Sequence, residues 1–417
     1  MINPYRFIKE IGFERMAGTE GEKKAAAIIL KHLDKMDLKV KKEPFEMFSY
    51  KPGSAKLKIK DREFDLIPYG LNEDADLEGE LIYLDNIDAL KLNLGAYENK
   101  IVISYGYSRE LQETLKKGKV KAFISIGMPQ KKTGIRSHRQ NSYKNGYTNC
   151  VSVSHDLGEK IVKYNGKKVK LIIRQEVFKT EAFNIVVDIP GENPDNNLIL
   201  ISAHYDTVAH CAGSSDNGGG TVTLLKAAEY FSRHRPQRDL RLIFFSGEEM
   251  GLLGSQAYVN EHKMELQERS VFLVNVDVSG DPVGFDTAFV IGTKELLGYF
   301  NGISREQGLA FNSNLSIYSS DGMPFAVYEI PSISLSRRGG KANFFIHTPD
   351  DNPRYVNNQG YKNTIKAAIT ILNRVLNAKI FPIKREIDPD LKPKIEKYLW
   401  SLNFEKPKMY WQPIYQK

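Results

Sequence analysis

The sequence is poor in cysteine. Only Cys150 and Cys211 carry a thiol among 417 residues, too few for the disulfide framework of a small secreted fold. No apolar run comes near the roughly 20 residues that cross a bilayer. The opening residues, MINPYRFIKEIGFERMAGTEGEKKAAA, contain no apolar stretch of the signal-peptide kind. These absences set the expectation of a cytoplasmic protein with no membrane partner. Charge of one sign is not concentrated either. The net charge is +8 and the pI near 9.0, but lysines and arginines are scattered among acids, which argues against a nucleic-acid partner. The densest basic stretch, KKTGIRSHRQNSYKNGYTN (131–149), reads as a polar loop. The glycines at 218–220 lack the Gly-Lys-Ser/Thr ending of a phosphate loop. They let the backbone run close to a site and start a helix.

What is present is a soluble globular composition, 41% hydrophobic and 26% charged. The length implies a large domain plus something smaller. TEGEKKAAAIILKHLDKMD (19–37) reads as an amphipathic helix, with Thr19 as N-cap and Glu22 three positions on. From 51 to 178, short strand-like runs (AKLKI, GELIYLD, KIVISYG, KAFISIG, CVSVSHD, KVKLIIRQ) alternate with turns and cluster no catalytic residues. They read as a smaller β-rich α+β domain inserted into the larger one. From about 182 to 380, continuous apolar strands such as NLILISAHYD, LRLIFFSG and VFLVNVDVSG alternate with amphipathic helices. That pattern predicts an α/β fold with a mostly parallel central sheet and helices on both faces. The expected division is a main domain of residues 1–50 and 179–380, the insert 51–178, and a basic, aromatic tail 381–417.

In such sheets ligands gather at the carboxyl ends of the strands. Each polar cluster here follows one of those strands. His204 and Asp206 end LILISAHYD, Asp216 sits in GSSDNGGG, and Glu248-Glu249 end LIFFSGEE. Asp277 ends VFLVNVD, and His347 lies in FFIHTPDD. A lone acid or histidine would be a cap or a surface residue. Several at one sheet edge would repel one another unless cations were bound between them. Histidine and carboxylate donors without cysteine suit zinc or a similar borderline metal. A pair of ions bridged by one carboxylate can activate a shared water, and one acid outside the ligand set is then needed as base. The adjacent Glu248-Glu249 pair can supply both roles.

The set AHYDTV…GSSDNGGG…FFSGEEMGLLGS…NVDVSG…HTPDD resembles the co-catalytic di-zinc aminopeptidases, the family of bacterial leucine aminopeptidases and glutamate carboxypeptidase. Residues 51–178 resemble the protease-associated domain that some members carry as an insertion. The resemblance implies two zinc ions, replaceable by cobalt or manganese, and a peptide substrate. Its implied metal ligands are His204, Asp216, Glu249, Asp277 and His347, with Asp216 as the bridge. Two pairings stay open: His204 with Glu249 against Asp277 with His347, or His204 with Asp277 against Glu249 with His347. Glu248 would be the general base, and Asp206 would orient His204. Some relatives place a tyrosine directly before the last histidine, where this chain has Ile346. Tyr318 in SIYSSDGMPF is a candidate replacement. His210 and Cys211 lie between ligands but read most simply as loop residues. Arg337-Arg338 reads as a solvated loop, yet could clamp a substrate carboxylate. The implied activity is therefore an aminopeptidase, with a carboxypeptidase or related amidohydrolase as the alternative. A binding protein that has lost catalysis is disfavoured by the intact acid and histidine set. A homo-oligomer is left open.

Overall fold

The computed structural model describes residues 1–106 and 109–402. Helices Pro4–Glu10 and Glu20–Asp34 open the chain. Thr19 stands at the N-cap position, but its side chain bonds back to the Met16 carbonyl and caps nothing. Glu22 turns inward rather than completing a capping box. It accepts hydrogen bonds from the Gly18 N–H, the Ser246 hydroxyl and the Tyr205 hydroxyl, at 2.6, 2.6 and 2.9 Å. The second helix is thus pinned to the residues that follow two central strands.

Strand β1 (Lys39–Tyr50) leads into a closed barrel. The barrel strands are β2 (Ser54–Ile59), β3 (Arg62–Pro68), β4 (Ala75–Leu84), β5 (Ile101–Tyr105), β6 (Ala122–Ile126), β7 (Asn149–Val153) and β8 (Lys168–Arg174). Their order is β2-β3-β7-β6-β5-β4-β8, closing back on β2. Leu57, Leu81, Ile103, Ile124, Val151 and Leu171 fill its interior. β9 (Val177–Ile189) returns antiparallel to β1 along the full length of that strand, from Lys39 opposite Asp188 to Tyr50 opposite Val177.

The chain then builds the rest of the central sheet from β10 (Leu198–His204), β11 (Asp239–Phe245), β12 (Ser270–Val276), β13 (Phe285–Ile291), β14 (Phe311–Leu315) and β15 (Ser332–Arg338). The strand order is β1-β9-β11-β10-β12-β15-β13-β14. The expected mostly parallel sheet is corrected to a mixed one. β11–β10, β10–β12, β12–β15 and β13–β14 are parallel, while β1–β9, β9–β11 and β13–β15 are antiparallel. The parallel core lies where helical crossovers join the strands, and the reversals lie toward the flanks, where the apolar runs gave no sign of direction.

β10 is buried at every residue because parallel neighbours flank it on both edges and helices cover both faces. One face packs under helices Gly218–Arg233 and Asn358–Asn377, with Phe231, Ile371 and Leu372 in the contact. The other packs Phe245, Tyr258, Phe325 and Leu399, the last from helix Lys392–Ser401 in the tail. Full burial of each such side chain contributes about 1.5–3 kcal/mol.

Candidate metal centre

Three adjacent parallel strands aim their carboxyl ends at one place. His204 is the last residue of β10. Asp277 directly follows β12, and the Ser246–Glu249 turn directly follows β11. Asp216 ends the loop that enters helix Gly218–Arg233, one residue before the N-cap Asn217, to which it is joined by a cis peptide bond. His347 arrives from the far side, just after the short helix Lys341–Phe344.

The side chains fall into two groups that share Asp216. His204 Nε2 lies 3.3 Å from both Asp216 Oδ1 and Asp277 Oδ1. His347 Nε2 lies 3.0 Å from Asp216 Oδ2 and 3.1 Å from Glu249 Oε2. In each group of three, one ligand atom per residue lies within 4.8 Å of the others. The geometry therefore groups His204 with Asp277 and Glu249 with His347. The two oxygens of Asp216 face opposite groups, as a bridging carboxylate must. Imidazole and carboxylate donors at this spacing fit a pair of borderline divalent cations.

The two groups differ in exposure. The His204 side chain is 1% exposed and that of His347 is 47% exposed. His347 also has φ +59°, a left-handed backbone that non-glycine residues adopt where their surroundings hold them in it. Burial opposes charge on His204, but Asp206, Asp216 and Asp277 outweigh it and hold the imidazole well above its usual range. His347 is raised in the same way against burial, by Glu249 and Asp216. Asp216 is driven far down: burial would raise it, but two histidines overcome that. Burial first, and neighbouring acids second, push Glu248 well up. Glu249 is raised chiefly by burial too.

Glu248 lies outside both ligand groups. Its N–H and that of Glu249 donate to Asp206 Oδ1 and Oδ2 at 3.2 and 3.3 Å. Asp206 Oδ1 also stands 3.4 Å from His204 Nδ1, an ion-pair distance without hydrogen-bond alignment. Asp206 thus ties the Ser246–Glu249 turn to the end of β10. Tyr318 stacks on Phe289, with ring centroids 4.8 Å apart, and the Arg338 guanidinium lies 5.1 Å from its ring centre. Burial and then Asp277 keep its hydroxyl protonated.

Several sequence readings are corrected by position. Arg337 and Arg338 are not a solvated loop but the last residues of β15. Arg337 is committed to the Asp281 carbonyl at 2.6 Å and to Asp286 at 2.9 Å, so it clamps no substrate. Cys211 is buried, and burial raises its thiol out of the reactive range. His210 is exposed and paired with Glu14. Ile346, beside the last histidine, is half-buried and brings no hydroxyl.

Three supporting residues escaped sequence reasoning. Asp351 accepts the N–H groups of Ser215 and Asp216 at 2.8 and 3.0 Å and so holds the bridging loop. Arg15, fully buried, donates to the carbonyls of Tyr205, Ala212 and Gly213, which fixes the loop between His204 and Asp216. Asp321 accepts from Ser255 at 2.6 Å, and burial lifts its carboxyl to about 7 beside Asp206 and Asp277. The second aspartate of HTPDD was the one available signal, since that motif had an acid with no assigned role.

Solved structures share this architecture. An aminopeptidase from Aneurinibacillus sp. strain AM-1 superposes with a TM-score of 0.72 at 21% identity, over 93% of this chain and 95% of that one. A zinc aminopeptidase from Bacillus subtilis gives 0.74 at 19%, over 93% and 98%. A peptidase M28 precursor from Shewanella amazonensis gives 0.74 at 18%, over 93% and 94%. At these identities the likeness establishes the fold. Residues 184–372 match the profile of peptidase family M28. Among curated proteins, vacuolar membrane proteases of Saccharomyces cerevisiae are 38% identical over 108 residues, 26% of this chain and 11% of theirs. That of Vanderwaltozyma polyspora is 35% identical over 115 residues, 28% of this chain and 12% of its own. The match thus spans about a tenth of those relatives' length. It overturns the cytoplasmic expectation, because these relatives are proteases of a vacuolar membrane. No described helix is long and apolar enough to cross a membrane.

Proposed function

We propose that the protein is a zinc-dependent aminopeptidase that holds two ions and releases uncharged N-terminal residues from peptides. One observation carries this reading: Asp216 presents a different oxygen to each of two histidine–carboxylate groups. His204, Asp277 and Asp216 would hold one ion, and His347, Glu249 and Asp216 the other. Bound there, zinc would polarise the scissile carbonyl and acidify a water. Glu248 accepts that water's proton at its carboxylate and returns it to the leaving amine. Asp206 fixes Glu248 and Glu249 through their N–H groups. The Tyr318 hydroxyl, kept protonated, donates to the developing oxyanion.

Acids crowd the same corner, which favours a free ammonium group over a blocked amine. A carboxypeptidase would need a basic clamp, and the engagement of Arg337 with Asp281 and Asp286 takes Arg337 out of that role. The barrel is read as a protease-associated insert that narrows access. A cleft of about 870 Å³ supports this, lined by Arg136 and Arg139 from between the barrel strands and by Glu249 and His347. The test is a panel of leucyl and methionyl anilides beside their N-acetylated forms, with zinc removed and restored. Acetylation should lower kcat/KM by several orders of magnitude. Equal cleavage of both forms, or release from the C-terminus, would overturn the reading.

A further inference from the structure

The basic stretch that reads as a polar loop lies between β6 and β7 of the barrel, and it reaches the metal centre. The Ile135 N–H donates to the His347 carbonyl at 3.2 Å. Lys132 pairs with Asp350 at 2.8 Å, and Lys131 lies over the Phe344 ring at 5.5 Å. These contacts bracket His347 on both sides in sequence. Gly134 is close enough that an added Cβ would stand 3.3 Å from the His347 carbonyl oxygen. Farther along, Arg139 packs on the turn after Glu249: a Cβ on Gly251 would meet its Nη1 at 2.4 Å. The same stretch is anchored to the barrel. Gly70 donates to the Arg136 carbonyl at 2.7 Å and His138 donates to that of Gly70 at 2.9 Å, while Ser137 meets the hydroxyl of Tyr50 at the end of β1 at 3.1 Å.

We propose that residues 131–139 position the outer pair, Glu249 and His347, so that the barrel sets how tightly that half of the centre holds its metal. This rests on the two-ion reading above. The physical reason lies in what the outer pair lacks. His204 and Asp277 are set by the ends of hydrogen-bonded strands, whereas His347 stands on a loop in a left-handed conformation and is half-exposed. Partners behind a metal ligand that fix its orientation govern affinity by about 10–100-fold. Here those partners come from a structure separate from the central sheet.

The test uses the full chain, with zinc stoichiometry and both affinities measured by chelator competition and the metal-free melting temperature recorded alongside. Ile135→Pro removes the donor, and Gly134→Val presses on the His347 carbonyl. Lys132→Glu breaks the ion pair, and the swap with Asp350→Lys restores it. Ile135→Pro and Gly134→Val should weaken one ion by about tenfold or more and leave the other within about twofold. Lys132→Glu should cost a few-fold, recovered in the swap. The proposal is overturned if every variant binds both ions as the parent does. It is equally overturned if both ions weaken together with a fall in melting temperature, which marks a merely structural contact. A parent chain that binds no zinc at all sinks the two-ion reading itself, and this proposal with it.

Discussion

The two halves of the candidate centre carry the same donors and are built in opposite ways. The inner half, His204 and Asp277, hangs from the ends of adjacent parallel strands and is buried. The outer half, Glu249 and His347, stands on a turn and a loop, with His347 nearly half exposed. A ligand at a strand end inherits its position from the sheet's hydrogen bonds. A ligand on a loop must be held from outside, and here the holding comes from Asp206 and the barrel. The inner half is fixed by folding, the outer by contacts that can be altered one at a time.

The sharpest way to break this picture is Glu248→Gln. It touches neither half, so both ions should stay while turnover falls by about 10²–10⁴-fold. Glu249→Gln, by contrast, should weaken the outer ion. If Glu248→Gln lost metal and Glu249→Gln stayed active, the ligand and the base would be exchanged, and the outer half would be wrongly drawn.

Next in size is the contrast between the histidines without metal. His204→Ala leaves Asp206 and Asp277 buried without an imidazole and Asp216 with His347 alone, at a cost of about 3–5 kcal/mol. His347→Ala removes a half-exposed partner and leaves Asp216 with His204, so it should cost less than His204→Ala. Each should abolish one ion. Equal losses on thermal unfolding of the metal-free variants would mean that the halves do not differ in rigidity.

A smaller effect, with a definite sign, comes from pH. Both histidines are held above their usual range, so in the metal-free protein their contribution is full below about 6.5 and is lost as pH rises through the folded values. The raised carboxyls of Glu248 and Glu249 act in the same direction. The metal-free melting temperature should therefore fall from pH 6 to 9. Zinc needs neutral imidazoles, so its affinity should rise over that range and the zinc-loaded protein should gain stability. Two melting curves of the same slope would contradict the shared role of these side chains.

The inner half was the more legible in the sequence. LILISAHYD and VFLVNVD are apolar throughout because central parallel strands are covered on both faces, so their polar ends stand out. Which residues pair across Asp216 was not legible, since nothing in a linear pattern says that the FFIHTPDD loop folds over the β11 turn. Strand β14, FNSNL, was missed because this edge strand is polar at its three middle residues. β3 was missed because it begins with charges and ends in proline. Glu22 looked like a capping residue and is instead a buried acceptor. Asp351 and Arg15 act on backbone groups, and that role leaves no mark on residue spacing.

Asp351 offers the finest test of the division, because it belongs by sequence to the outer loop and by contact to the shared ligand. Its two oxygens accept the N–H groups of Ser215 and Asp216. Burial lifts its carboxyl to about 7, while those two hydrogen bonds pull it back. In Asp351→Asn, one oxygen becomes an NH2 group that faces a backbone donor, so one hydrogen bond is lost and a repulsive contact replaces it. The loop carrying Asp216 should loosen, and since Asp216 serves both groups, both ions should weaken together, by about tenfold. The effect should be smaller than that of any ligand substitution, because every donor atom is still present. Chelator competition on the variant decides between two routes. Parallel loss of both ions means that Asp351 acts through the bridge. Loss confined to one ion means that it acts through its own loop on His347, and the line between the halves must then be redrawn to include it.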